Sequence, residues 1–70
     1  MQGIRRKFGK RIRELRRTRG FSQEGFADKC GFHRNYMGSI ERGKRNITFE
    51  EMTSIAKALK ISLSGLFKGV

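Results

Sequence analysis

The sequence predicts an all-α domain of five helices, and three observations carry that expectation. Apolar residues recur at steps of three and four rather than two. Glycines and polar cap residues punctuate those runs at short intervals, with no proline anywhere. Seventy residues make one domain, near the lower limit for a core that folds without disulfides or metals. A single compact unit over residues 1–70, joined by short connections, is expected.

In the first helix, Ile4, Phe8, Ile12 and Leu15 stand within about 80° of one another at 3.6 residues per turn. Gly20 ends it as a left-handed cap. Ser22 is the N-cap of the second helix, Gln23 to Cys30, which buries Phe26, Ala27 and Cys30. Gly31 stops that helix. The third runs from His33 or Arg34 to Arg42, with His33 as its cap and Gly43 closing it. After the basic loop Lys44-Arg45-Asn46, Thr48 and Glu51 have the spacing of a capping box, with Ile47 and Met52 at the staple positions. The fourth helix then buries Met52, Ile55, Ala56 and Leu59, and Ser62 caps a short fifth carrying Leu63, Leu66 and Phe67.

Charge narrows the function. Seventeen Lys and Arg against six acids give a formal charge of +11, a self-repulsion that a polyanion relieves. Nine of the seventeen precede Gly20. Anionic membrane is the weaker partner, because the apolar positions are committed to a core. No apolar run reaches the ~18 residues of a membrane span, and the basic start MQGIRRKFGK lacks the apolar stretch of a secretory signal. One cysteine (Cys30) and one histidine (His33) exclude an ordinary zinc site within the chain. Cys30 reads as a small buried residue, and its free thiol suits a reducing cytoplasm. No paired carboxylates or Ser/His/Asp set point to an enzyme, and no cofactor is expected. The six phenylalanines fall mostly at core-like positions, unlike the exposed stacking face of an RNA-binding module.

Residues 23–42, QEGFADKCGFHRNYMGSIER, carry the function. Two short helices about a glycine turn form a helix-turn-helix pattern. Ala27 is small enough for the helix crossing, Gly31 tolerates positive φ in the turn, and Phe26, Cys30, Phe32, Met37 and Ile40 pin both helices.

With GKRIRELRRTRGFSQE, GFHRNYMGSIERGKRN and IAKALKISLSGLF in place, the chain resembles the lambda repressor/Cro-like family of small bacterial and phage regulators over essentially all its length. The run HRNYMGSIERGKRNIT is similar to the controller proteins of restriction–modification systems. Departures from the family's pattern are Gly25, Gly38 and Gly65, each costing about 1 kcal/mol relative to Ala inside a helix. The resemblance implies a lambda repressor-like fold binding double-stranded DNA, and a buried ion pair between Arg16 and Glu41.

On a helical wheel with Arg34 at zero, Gly38, Arg42, Asn35 and Ser39 fall within about 140°, while Tyr36, Met37 and Ile40 lie opposite. Arg34 suits guanine O6 and N7, Asn35 suits adenine N6 and N7, and Ser39 specifies weakly. Gly38 has two readings, close approach to the groove wall or drift at a tolerated position. Gln23 opens the second helix, where free N–H groups and the helix dipole favour phosphate. Tyr36, Arg42, Lys44, Arg45 and Asn46 flank the third helix as further phosphate contacts.

The resemblance also implies a homodimer on a pseudo-palindromic operator, with half-sites about 34–36 Å apart or a multiple of that. Leu63, Leu66, Phe67 and Val70 form either the dimer patch or the last piece of the monomer core. Glu24 and Asp28 are either a solvated pair or, as in some relatives, a contact for RNA polymerase. Seventy residues leave no room for a sensor domain, so control is expected through concentration, dimerisation and DNA occupancy in the bacterial cytoplasm. The alternative function is a DNA-binding antitoxin with a toxin partner.

Overall fold

Four polar residues start four of the helices by turning extended backbone into a hydrogen-bond acceptor for the first turn. Ser22, Thr48 and Ser62 accept through their hydroxyls from the N–H groups of Gly25, Glu51 and Gly65. His33 accepts through Nδ1 from the N–H of Asn35 at 3.1 Å. Each such bond satisfies one of the donors a helix start leaves open. At Thr48 the bond is reciprocated: Glu51 accepts from the Thr48 N–H at 2.9 Å, completing the capping box.

The computed structural model describes residues 2–70, in five helices with no strand among them. They are α1 (Gln2–Thr18), α2 (Gln23–Cys30), α3 (Arg34–Glu41), α4 (Phe49–Leu59) and α5 (Leu63–Leu66). α3 ends at Glu41, one residue short of the expected boundary: Arg42, still right-handed at φ −85° and ψ −2°, is its C-cap, and Gly43 then takes φ +75°. The turn between α2 and α3 uses Gly31 at φ +80°, whose N–H returns to the carbonyls closing α2. α4 stops without a glycine. Lys60 itself adopts the left-handed conformation, φ 59°, an arrangement no composition signal marks.

α3 packs against α1 and α2, while α4 joins α2 to α5. Their shared core is Phe8, Ile12, Phe26, Ala27, Met37, Ile40, Ile55, Ala56, Ala58, Leu59 and Leu66. Cys30 is half-buried against it, and burial pushes its thiol up to about 11, leaving it protonated and inert at neutral pH. Two expectations are corrected. Ile4 continues the periodic stripe of α1 yet is 60% exposed, because the core ends where Phe8 stacks on Phe67 at 5.1 Å. Phe49, the first residue of α4, is also exposed, since the first turn points away from the core its later turns bury.

α1 meets α3 closely at Gly9. Gly9 is buried, and a Cβ built there would lie 2.6 Å from the Glu41 carbonyl oxygen and 2.8 Å from its carbon. Both are backbone atoms, so only a residue without a side chain lets the end of α3 seat on α1. Across the same contact, Gly43 lies against the backbone of Arg6.

Candidate nucleic-acid interface

Beneath the outer face of α3 lies a charged pair that holds it in place. Arg16, reaching across from α1, donates to Glu41 through Nε at 2.7 Å and Nη2 at 3.1 Å, and its Nη1 donates to the Phe21 carbonyl at 2.9 Å. The side chains are 8% and 4% exposed, so the pair is bidentate and nearly dry. Glu41 Oε1 also accepts from Gln23 Nε2 at 3.1 Å. One buried carboxylate thus ties α1, the start of α2 and the end of α3 together.

At the other end of the helix, the first turn of α3 is open to solvent. Arg34 and Asn35 are both exposed there, on a helix whose N-terminus His33 caps. Arg34 Nη1 lies 3.6 Å from Glu24 Oε1, with both side chains more than 60% exposed. Such a pair contributes little to stability and leaves the guanidinium free to exchange partners. Glu24 therefore stands beside the reading face, while Asp28 is exposed further along α2.

Ser39 does not lie on that open face. It is 7% exposed, its Oγ donates to the Tyr36 carbonyl at 2.7 Å, and it accepts from Arg45 Nε at 3.1 Å. The wheel placed it at the edge of the outer arc, and the loop after α3 folds back to cover that edge. Tyr36 is likewise engaged. Its hydroxyl donates to Glu51 Oε1 at 2.8 Å, so that proton is not available to a phosphate, and the Arg45 guanidinium lies 5.4 Å over its ring. Burial and the bond to Glu51 raise the Tyr36 hydroxyl above its ordinary range. The hydroxyls of Ser39 and Tyr36, expected to meet a base and a phosphate, are thus both engaged within the chain in this structure.

Gln23, half-buried at the start of α2, keeps one amide hydrogen beyond its bond to Glu41. Arg42, Lys44, Arg45 and Asn46 are exposed in sequence order after α3. Gly38 is covered, not open: a Cβ there would lie 3.2 Å from Arg42 Nη1 and 3.3 Å from Gln23 Oε1. Its missing side chain lets those two converge over the helix.

The nine basic residues before Gly20 divide in a way their sequence does not show. Arg11 donates to the carbonyls of Gly65 and Leu66, and Arg19 to that of Leu59, so each caps a helix C-terminus. With Arg16 in its ion pair, three of the nine act as internal staples. Arg13 and Arg17 instead border a groove shared with Gln23, Gly38 and Arg42, and were missed as candidates. Their signal was present as a spacing of four along α1.

Among the C-terminal apolar residues, Leu66 is fully buried and belongs to the monomer core, which corrects its place in a dimer patch. Leu63 and Val70 are half-buried, and Phe67 is 39% exposed. Phe67 and Val70 line an open apolar groove with Ile4, Phe8, Ile47 and Met52. Among the described residues no cluster of His, Cys, Asp or Glu has the arrangement of a metal site, and no helix is long and apolar enough to cross a membrane.

A family model described as helix-turn-helix, HTH_3, matches residues 12–66. The control protein C.MunI of a Mycoplasma species is 38% identical over 71 aligned positions, covering 100% of this chain and 96% of that protein. The control protein C.BamHI of Bacillus amyloliquefaciens is 41% identical over 59 positions, covering 83% of this chain and 73% of the relative. Among solved structures, the restriction–modification controller protein C.AhdI from Aeromonas hydrophila superposes with a TM-score of 0.87 at 44% identity. That match covers 90% of this chain and 96% of the other.

Proposed function

Because the chain belongs to the helix-turn-helix family, we propose that it is a transcriptional regulator that places the first turn of α3 in the major groove of DNA. One observation carries the reading: Arg34 and Asn35 are exposed side by side at the His33-capped start of α3, a helix whose far end the Arg16–Glu41–Gln23 network ties to α1 and α2. Arg34 and Asn35 read base edges. Gln23, Arg42, Lys44, Arg45 and Asn46 hold phosphates and set the register. Glu24 and Asp28, both exposed on α2, carry no part of this proposal.

The named relatives are two control proteins and a restriction–modification controller protein rather than antitoxins, which favours a regulator acting in the bacterial cytoplasm on its own operator. It acts without catalysis, as one domain over residues 1–70. A single α3 offers few base contacts, so the functional unit is a homodimer joined near Phe67 and Val70, the accessible part of the C-terminal patch. Selection of bound sequences from random duplex DNA tests the reading. Arg34→Ala should cost about 1–3 kcal/mol and relax preference at one base of each half-site. Lys44→Ala should weaken all sequences alike. An Arg34→Ala protein that selects the parent's sequence undiminished overturns the assignment.

A further inference from the structure

We propose that the outer face of α1 is a second track for the DNA backbone, formed by Arg6, Lys10, Arg13 and Arg17. It rests on the DNA-binding reading above and extends the contact beyond the recognition helix. The four residues follow one another at steps of four, three and four, which puts them within about 60° of one another on a helix of 3.6 residues per turn. From Arg6 to Arg17 the stripe runs about 16 Å at 1.5 Å per residue. At 3.4 Å of axial rise per nucleotide on one strand, that matches roughly five nucleotides.

Like charges at this spacing repel and weaken a helix. Among the described residues, the carboxylate–cation contacts within 4.0 Å involve Arg16 and Arg34, not these four. The opposite side of α1 is sealed by Phe8, Ile12 and Arg16, so the stripe has no inward partner to turn to.

The stripe is continuous with the reading surface. Arg6, Lys10 and Arg13 line a groove whose far wall includes Arg42 and Lys44. Arg13 and Arg17 line the adjoining groove, facing Gln23 and Arg42. Glu41, held in its ion pair, is the acidic residue lining these two grooves. The exposed Glu14 lies at the stripe's edge beside Lys10. A strand whose phosphates rest on Gln23 and Arg42 therefore continues along the Arg6–Arg17 line. Duplex DNA fits this line better than an anionic bilayer, because the reading helix and the stripe share both grooves.

The test compares Lys10→Gln/Arg13→Gln with a control of equal charge loss on α2 and α4, Lys29→Gln/Lys57→Gln. Binding to a selected duplex is titrated from about 50 to about 300 mM salt, a range where phosphate contacts dominate. Each phosphate contact contributes about 0.9 to the slope of log affinity against log salt, so the α1 variant should lose about 1.8 per bound chain. If its line meets the parent's at about 1 M salt, affinity at about 0.1 M falls roughly 60-fold, while the control keeps the parent slope. An α1 variant with the control's slope overturns the track and leaves the DNA-binding reading standing. The same result with lost binding to phosphatidylserine vesicles overturns it in favour of a membrane. A parent with no salt-dependent DNA binding overturns both.

Discussion

Replacing Glu41 by alanine tests the network under the interface most directly. The substitution removes the acceptor of three bonds, two from Arg16 at 2.7 and 3.1 Å and one from Gln23 at 3.1 Å. Arg16 is then left 7% exposed with only the Phe21 carbonyl as partner. Removing one member of a buried pair costs about 3–5 kcal/mol, because the other charge stays desolvated. At about 0.05–0.15 kcal/mol per residue, a seventy-residue domain has roughly 4–10 kcal/mol in total. Glu41→Ala should therefore lose about half its stability or unfold outright. Urea titration followed by circular dichroism measures this; with a slope near 1 kcal/mol per molar, the midpoint falls by several molar. A double variant, Arg16→Met/Glu41→Leu, removes both charges and should recover most of the loss, since an apolar replacement of a buried pair is often neutral. The reasoning fails if Glu41→Ala melts at the parent's midpoint.

Gly9→Ala should destabilise by about 1–3 kcal/mol through overpacking against the backbone of Ile40 and Glu41, despite gaining about 1 kcal/mol in helix propensity. A variant as stable as the parent or more so would show that α1 and α3 do not meet as described. Glu51 accepts from the Thr48 N–H and the Tyr36 hydroxyl, bonds that hold its carboxyl below the ordinary value of 4.5. A carboxyl depressed on folding stabilises above its unfolded value and loses that contribution as pH falls through the folded one. The stability gap between the parent and Glu51→Gln should thus be full near neutral pH and close as pH falls through the depressed folded value. Urea midpoints across that range measure it, and a gap that stays constant would contradict the capping geometry.

Much of the architecture was legible along the chain because its determinants are local. Ser22, His33, Thr48 and Ser62 each sit within three residues of the N–H they accept, so type and spacing alone locate four helix starts. The buried stripes of α2 and α4 follow from a period of 3.6, and Gly31 marks a turn that needs positive φ. The exposed pair Arg34 and Asn35 follows from the same wheel. Local spacing thus determines the motif and its outward face.

What covers a face depends on segments far along the chain. Ser39 and Ile4 occupy correct positions on their wheels, yet the loop carrying Arg45 covers one while nothing covers the other. Leu66 and Phe67 are adjacent apolar residues, and only the packing of α5 separates the core member from the accessible one. Nine basic residues before Gly20 look alike as letters. Tertiary contacts make Arg11, Arg16 and Arg19 into staples, because a carbonyl or carboxylate from a distant helix meets each guanidinium. Arg13 and Arg17 remain outside, bordering the groove shared with Gln23 and Arg42. The helices and their motif were determined by local sequence; the division of its charge between holding the fold and meeting DNA was decided by which distant groups the fold brings within hydrogen-bond reach.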